Sequence, residues 1–274
     1  MKWPPPLFCR ITWIASTSMD QTQPGTPVVE LQHPDGEESL SPRSVRWRMK
    51  HVVLIVLAIL LTIAAVEYFT IPSYATIEAL ARVNPRSSAM MEERKQEHDG
   101  RWAITRKWVP LSEISPDLVH AVVVSEDGSF FTHSGFDWYE VKESVERNWS
   151  EGRIVRGAST ITQQLAKNLF LSSSRDPMRK LKELVITMRM EKALSKYRIL
   201  ELYLNVIEWG RGVFGVEAAS QTYFHKSAKD LTREEAARLA AVIPSPLRHD
   251  PTLDSRYVTN RAESILVRME ARGW

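Results

Sequence analysis

The longest unbroken apolar stretch of the chain runs from Val52 to Val66, close to its start. Its fifteen residues carry no charge. It reaches the ~20 residues that cross a bilayer only if it continues through Glu67 to Ile71. Because it is apolar on every helical face, it fits a membrane-spanning helix better than a core helix, which usually keeps a polar face. We therefore predict a basic flank and one transmembrane helix over residues 45–71.

Basic residues precede this stretch and set its predicted orientation. By the positive-inside rule they place the start of the chain in the cytoplasm and everything after about residue 72 outside. A cleaved signal peptide is the main alternative, since the apolar length also fits its hydrophobic region. The segment Ser73-Tyr74-Ala75 is only a weak cleavage site. The basic residues are Arg43, Arg46, Arg48 and Lys50.

Residues 1–44 are rich in proline and have neither a helical nor a strand period. A segment of this kind cannot bury enough apolar surface to fold, so we predict a disordered cytoplasmic tail. Met49 is a second possible start site, and the sequence leaves open whether residues 1–44 belong to the protein.

Beyond residue 72 the spacing of apolar positions is mainly helical. Asp176-Pro177 marks the start of one helix, and further helices are indicated over residues 197–206 and 255–271. Thr232-Arg233-Glu234-Glu235 forms a capping box at the start of another. Alternating strand patterns are scarce, and residues 100–109 are the best strand candidate.

The composition supports a single folded domain after the apolar stretch. The chain has 274 residues, of which 43% are hydrophobic and 25% charged, enough for a sizeable core. We predict a mainly α domain over residues 75–274. The single cysteine, Cys9, excludes an internal disulfide and a multi-cysteine metal site. A net charge of +3 without a basic stripe interleaved with aromatic residues gives no reason to expect a nucleic-acid partner.

Local charge is more informative than the total. Residues 112–151 hold nine acidic and two basic residues, whereas residues 153–211 hold twelve basic and five acidic ones. Two solvated helix faces of opposite sign would explain this pattern. A cleft with catalytic carboxylates on one side and an anion-binding wall on the other would also explain it.

Three polar clusters occur in this charged region. In the first, Glu126 and Asp127 follow the apolar run Ala121–Val124, so Glu126 is expected to be partly desolvated and suited to general base catalysis. His133 and Asp137 are four residues apart and within hydrogen-bonding reach on a helix. A lone Glu-Asp pair is more often surface charge, and that alternative stays open.

The second cluster spans residues 157–168, where Thr160 and Gln163 fit a capping box. A turn at Gly157 that leads into a helix would direct free backbone N–H groups outward, where they bind phosphate. In the third cluster Glu183 follows Arg179 by four residues and Lys180 by three, so a helix brings it close to both. We expect such a carboxylate to stay ionised and to act as an electrostatic partner or a metal ligand. Ordinary capped and salt-bridged helices are the alternatives.

Together these clusters resemble the ordered motifs of the peptidoglycan glycosyltransferases. These enzymes occur as the N-terminal domain of class A penicillin-binding proteins and as a monofunctional form. The resemblance covers about residues 100–274, and no transpeptidase domain follows, so the monofunctional form is expected. The matching segments are Glu126–Asp137, Gly157–Asn168, Arg179–Glu183, Ser195–Asn205, Gly215–Ala219, Tyr223-Phe224 and Leu239–Pro244.

The resemblance implies a mainly α, lysozyme-like fold and polymerisation of lipid II into glycan strands. Glu126 would be the general base that deprotonates the acceptor 4-hydroxyl, so that attack on the donor sugar inverts its anomeric carbon and releases undecaprenyl diphosphate. Glu183 would assist the diphosphate directly or through a metal, and Asp127 would support the catalytic loop. The implied substrate-binding residues are Asp127, Gly157, Ser159, Thr160, Gln163, Gln164, Lys167, Asn168, Arg175, Arg179 and Lys180.

The resemblance also implies a divalent cation, Mg²⁺ or Mn²⁺, at the diphosphate, and no organic cofactor. The expected partners are lipid II, the growing glycan chain, membrane lipid and other cell-wall synthesis proteins. The expected location is the bacterial inner membrane, with the catalytic domain in the periplasm. A lysozyme-like murein-cleaving enzyme is the nearest rival. It needs a general acid but no basic wall, so the basic segment favours transfer. A non-catalytic scaffold is the second rival, and it would lack Glu126.

Overall fold

The computed structural model describes residues 42–97, 103–151, 159–171 and 177–274. These residues are mostly α-helical with one small sheet, which confirms the predicted fold class. The helices are α1 (Pro42–Phe69), α2 (Tyr74–Ala79), α3 (Ala89–Glu97), α4 (Pro116–Glu126), α5 (Trp138–Glu151), α6 (Ile161–Phe170), α7 (Pro177–Ala193), α8 (Lys196–Val206), α9 (Val216–Phe224), α10 (Arg233–Val242) and α11 (Arg256–Glu270). The strands are β1 (Thr105–Arg106), β2 (Glu208–Gly210) and β3 (Val213–Phe214).

Some predictions fall on other residues. Gly157 and Arg175, two of the predicted substrate-binding residues, lie outside the described residues, as does the predicted helix cap Asp176. Most of the predicted tail, residues 1–41, lies outside them too.

Helix α1 carries the apolar stretch and begins at Pro42, three residues before the predicted flank. The side chains of residues 52–66 are exposed, so this is not a core helix of the domain. In the described residues it is the helix long and apolar enough to cross a membrane, and it fits a single-pass anchor. The chain divides into two compact units, Met1–Leu54 and Ile55–Trp274, and the second contains the end of α1 and all later elements.

Within the second unit, the end of α1 is tied to helix α7. Glu67 forms an ion pair with Lys182. Arg189 donates to the carbonyl oxygen of Pro72 at 2.7 Å, and its guanidinium lies 5.8 Å from the ring centre of Tyr68. The exit of the apolar helix is therefore held against the helix that carries Glu183.

Helix α4 is the central element of the core and packs against α10 and α11. Within α4, the four residues Ala121–Val124 are all buried. A helical segment that is covered on every side has no polar face in its sequence. Valine favours strands in isolation, but burial on several sides outweighs the small propensity cost. The packing places Glu126, the last residue of α4, beside α11.

Helix α6 packs against α7 and α8, with Ile161 and Leu165 fully buried. Its predicted capping box is confirmed: the Thr160 hydroxyl accepts from the backbone N–H of Gln163, and the Gln163 side chain accepts from that of Thr160. The capping box of Thr232 and Glu235 at the start of α10 is confirmed as well. Local hydrogen bonds thus fix where these two helices begin.

The sheet has the strand order β1-β3-β2, with β1 parallel and β2 antiparallel to β3. The strand predicted over residues 100–109 is reduced to Thr105–Arg106, and residues 98–102 lie outside the described residues. Gly215, which links β3 to α9, has φ +80°, and a Cβ there would lie 2.9 Å from the carbonyl oxygen of Asn205. Only glycine fits this turn without strain.

Candidate active site

Glu126 occupies the end of α4, and its side chain is only 9% exposed. Burial raises the pKa of this carboxyl, because a desolvated carboxylate is costly. The predicted desolvation of Glu126 is therefore confirmed. A raised pKa brings a carboxylate closer to the strength that a general base needs near neutral pH.

Three donors hold the carboxylate of Glu126. Gln164 Nε2 donates to Oε2 at 3.1 Å, Arg261 Nη2 donates to Oε1 at 3.2 Å, and the Ser125 hydroxyl donates to Oε1 at 3.3 Å. Each of them opposes the effect of burial and lowers the pKa, but burial is the larger influence. The bonds are long, so the carboxylate is oriented without being tightly neutralised.

Asp127 is buried and joins α4 to the start of α6. Its Oδ2 accepts from the backbone N–H of Ile161 at 3.0 Å, and its Oδ1 lies 2.8 Å from His133 Nε2. The backbone N–H of Gly135 donates to His133 Nδ1 at 3.1 Å, which leaves Nε2 as the nitrogen that donates to Asp127. This geometry fits the expected support of the catalytic loop better than direct contact with substrate.

The hydrogen bond between His133 and Asp137 that their spacing allows is replaced by contacts with other partners. His133 contacts Asp127, whereas Asp137 accepts from the Ser129 hydroxyl and from the backbone N–H of Glu140 at 3.0 Å. Asp137 thus satisfies a donor in the first turn of α5. Because residues 128–136 form a turn-rich loop and not a helix, the i, i+4 spacing does not bring the two side chains together.

The start of α6 was expected to bind phosphate, and two of its N–H groups have acceptors within the protein. The N–H of Ile161 donates to Asp127, and that of Gln163 donates to the Thr160 hydroxyl at 3.3 Å. The anion at this helix start is therefore the carboxylate of Asp127, which meets the positive end of the helix dipole. Asp127 thus reaches this helix start from a distant part of the sequence. The turn expected at Gly157 lies outside the described residues, so the phosphate site there stays a prediction.

The predicted substrate-binding residues of this segment divide into two groups. Thr160, Gln163 and Asn168 are buried and bonded to neighbouring protein groups; Asn168, for example, donates to the Gln164 carbonyl at 2.8 Å. Ser159, Gln164 and Lys167 are half-buried. The second group has side chains within reach of a ligand, and the first shapes the wall behind it.

Glu183 lies on α7 and is largely buried like Glu126, with its side chain 4% exposed. Arg179 Nη1 donates to its Oε2 at 2.8 Å, and Lys180 Nζ donates to its Oε1, as the helical spacing predicts. Lys167, on α6, lies in the field of this cluster: burial lowers the pKa of Lys167, and Glu183 opposes that effect. Three cations therefore gather around one carboxylate.

The donor set around Glu183 does not fit a resident metal ion. Each of its two oxygens already accepts from a cation, Arg179 or Lys180. No group of three or more His, Cys, Asp or Glu side chains with metal-binding geometry occurs among the described residues. A divalent cation needs several oxygen ligands, and this cluster offers none that is free of a cationic partner.

Two contacts of Glu126 and its neighbours involve residues that the sequence did not assign to the site. Arg261 lies on α11, which the sequence predicted only as a helix over residues 255–271. Tyr203 lies on α8 and donates from its hydroxyl to Gln164 Oε1 at 2.8 Å. Tyr203 belongs to the motif Ser195–Asn205, which was the available signal. No local pattern marks Arg261, since its partner is 135 residues away.

Arg268 on α11 and Arg272, two residues beyond its end, donate to the main chain around Glu126. Arg268 Nη1 donates to the Val124 carbonyl at 3.0 Å, and Arg272 Nη1 donates to the Gly128 carbonyl at 2.7 Å. The Val124 carbonyl belongs to the last turn of α4, where carbonyl groups have no hydrogen-bond partner within the helix. Cations at a helix C-terminus also interact favourably with its dipole.

Comparison with known proteins agrees with the motifs and the geometry. The transglycosylase family model matches residues 94–270. The biosynthetic peptidoglycan transglycosylase of Nitrosospira multiformis is 47% identical over 189 residues, 68% of this chain and 82% of that protein. The one from Methylobacillus flagellatus is 49% identical over 189 residues, 68% and 82% of the two chains. The one from a Janthinobacterium species is 41% identical over 221 residues, 80% and 94% of the two chains.

The match therefore includes both buried glutamates, the intervening polar helix α6 and the arginine-bearing helix α11. The mainly α architecture of the described residues is that of the lysozyme-like fold that the motifs imply. On the evidence of its motifs, its helices and these relatives, the chain belongs to the transglycosylase family, that of the peptidoglycan glycosyltransferases.

Proposed function

We propose that this transglycosylase polymerises lipid II into linear glycan strands, with Glu126 as the general base. The observation that carries the proposal is the pairing of two unlike buried carboxylates along α6. Gln164 contacts Glu126, and Lys167, one turn further on, lies in the field of Glu183. On α6, Gln164 thus faces the proton acceptor Glu126, and Lys167 faces the cationic cluster around Glu183.

At the first centre, Glu126 takes the proton of the acceptor 4-hydroxyl as that oxygen attacks the anomeric carbon of the donor. Its burial raises the pKa, and the three donors keep the carboxylate oriented. The hydroxyl proton displaces the weakest of these contacts when it arrives. The new bond forms on the face opposite the departing diphosphate, so the configuration is inverted.

At the second centre, Lys167, Arg179 and Lys180 neutralise the charge that develops on the departing diphosphate. Glu183 holds Arg179 and Lys180 in place through the two contacts described above. Prearranged cations stabilise a leaving anion more effectively than water, which must reorient. Arg175 is the remaining predicted contact and lies outside the described residues. A divalent cation would arrive as a ligand of the substrate phosphates, since no cluster of metal-binding side chains occurs among the described residues.

The apolar helix α1 fits a membrane anchor, and such an anchor would hold this chemistry where the lipid-linked substrate is found. We propose a single-pass protein of the bacterial inner membrane with its start in the cytoplasm and its catalytic domain in the periplasm. The basic residues before Val52 favour this orientation. A reporter fused after Trp274 should be active only outside the cytoplasm. Cytoplasmic activity would reverse the proposed orientation.

Incubation of the full-length protein with lipid II tests the reaction. Growth of a glycan polymer with release of undecaprenyl diphosphate is the expected result. A parallel incubation with finished murein tests the rival activity, and shortening of those strands without growth on lipid II would refute the proposal. The rival is disfavoured because a hydrolase has no leaving diphosphate for the cations around Glu183 to neutralise.

A further inference from the structure

Tyr203 is a fully buried tyrosine whose hydroxyl lies next to the general base without touching it. The hydroxyl donates to Gln164 Oε1 at 2.8 Å, and Gln164 Nε2 donates to Glu126 Oε2 at 3.1 Å. The three side chains come from α8, α6 and α4, so they meet only in the folded protein. They form a chain of hydrogen bonds that ends on the carboxylate.

The direction of this chain follows from the chemistry of its ends. An ionised carboxylate can only accept, so the amide nitrogen of Gln164 must face Glu126 and its oxygen must face Tyr203. The second hydrogen of Nε2 points to the carbonyl oxygen of Ser159, at 3.4 Å. Burial and the negative charges of Glu126 and Asp127 raise the pKa of Tyr203 well above its usual value, so the hydroxyl keeps the proton that it donates.

We propose that Tyr203 is a positioning residue that holds the Gln164 amide with its N–H group toward Glu126. The inference rests on the proposed role of Glu126 and assigns a task to Tyr203. A tyrosine that served only to fill the core would place its ring there and would not need a hydroxyl bonded to the group that touches the base. Desolvated hydroxyls are costly unless bonded, and here the bond is made to a single amide oxygen.

Loss of the hydroxyl has a specific consequence. Without its donor, the Gln164 amide is held only by the long contacts of Nε2 with Glu126 and with the Ser159 carbonyl, so it leaves its position beside the carboxylate more often. Whenever it does, the carboxylate loses a donor, so its protonated form is favoured. Among the described residues, the other charged or titratable groups beside it are Arg261 on α11, which still donates, and Asp127, which is held by His133.

The test is Tyr203→Phe in the full-length protein, with lipid II polymerisation followed from acid to neutral pH. We expect kcat to fall about tenfold, the rate equivalent of roughly one hydrogen bond, with KM little changed. We also expect the acid limb of the kcat profile to move to higher pH. Tyr223→Phe is the matched control, because it removes a hydroxyl that donates to the Trp209 carbonyl at 3.3 Å, away from Glu126. It should leave the acid limb in place.

Two further variants keep the inference testable if Tyr203→Phe folds poorly. Gln164→Ala should move the acid limb in the same direction, and adding Tyr203→Phe to it should cause little extra loss of kcat. An unmoved acid limb in Gln164→Ala, or fully additive losses in the double variant, would overturn the role of Tyr203. These outcomes require a wild-type enzyme that polymerises lipid II. A wild type without that activity would refute the proposed function itself.

Discussion

Glu126 and Glu183 are both largely buried glutamates, but their surroundings differ. Glu126 is held by one neutral amide, one hydroxyl and a single arginine at bond lengths of 3.1–3.3 Å. Glu183 accepts from Arg179 at 2.8 Å and from Lys180 as well, and Lys167 lies in its field. The carboxylate of Glu126 is therefore held by long hydrogen bonds, whereas the carboxylate of Glu183 is surrounded by cations.

This difference teaches how one residue type serves two roles in one enzyme. Burial raises the pKa of Glu126 because the available donors do not compensate fully for lost water, and a proton acceptor results. Around Glu183 the cations outnumber the carboxylate, so the cluster can meet a negatively charged group. Substitutions that change the surroundings of one glutamate at a time test this difference.

Replacement of Glu126 by glutamine should have the largest effect. Glu126→Gln keeps the size of the side chain but removes the proton acceptor, and we expect polymerisation of lipid II to fall about a thousandfold. Glu208→Gln is the matched control, because Glu208 is also buried, paired with an arginine, Arg94, and raised in pKa by burial. It should retain polymerisation. Activity of Glu126→Gln near that of the wild type would remove Glu126 from the mechanism.

Replacement of Glu183 by glutamine should have the next largest effect. Arg179 and Lys180 lose the charged partner that holds them, and we expect a rate loss of about a hundredfold, typical of a disturbed electrostatic stabiliser. Glu191→Gln is the comparison, because it makes the same change two turns later on α7, where the Glu191 carboxylate pairs with Lys196 at 2.8 Å. Single-turnover rates measured with and without divalent cations check this prediction. Unchanged turnover of Glu183→Gln in metal-free buffer would contradict it.

Replacement of Arg261 should have a smaller effect but a diagnostic pH dependence. Arg261→Gln removes a charge that lowers the pKa of Glu126, so the acid limb of the rate profile should move to higher pH. Above that limb we expect a loss of about tenfold, since one charge-assisted hydrogen bond is gone. Arg268→Gln is the comparison on the same helix, because Arg268 contacts a backbone carbonyl and not the carboxylate. Equal shifts in both variants would show that Arg261 has no specific effect on Glu126.

The smallest effect concerns stability. Because burial raises the pKa of Glu126 in the folded protein, the wild type loses stability as pH rises from the ordinary glutamate value through the raised one. Glutamine does not ionise, so the melting temperature of Glu126→Gln relative to that of the wild type should rise across this window and then level off. Melting curves at a series of pH values measure the difference. A difference that falls with pH would indicate that the donors outweigh burial.

The sequence predicted what depends on local spacing. The capping box of Thr160 and Gln163 and the pairs of Glu183 with Arg179 and Lys180 are confirmed, because helical geometry brings residues three or four positions apart together. The apolar run Ala121–Val124 also correctly predicted that Glu126 is buried.

Contacts between distant segments were missed. Arg261 reaches Glu126 from the last helix, and no period in the sequence records that approach. At the start of α6 the backbone N–H of Ile161 donates to Asp127, which lies 34 residues upstream. His133 contacts Asp127 and not Asp137, which its spacing allowed, because the segment between His133 and Asp137 is a loop. Tertiary packing decided each of these, and spacing alone carries no information about it.

The most direct test of the central claim is the pH dependence of lipid II polymerisation by the wild type and by Glu126→Gln under single-turnover conditions. The account predicts that the wild-type rate rises with pH through a single acid limb that lies above the ordinary glutamate pKa of about 4.3. It also predicts that this limb is absent from the residual rate of the variant. The same limb in both proteins would show that another group takes the proton.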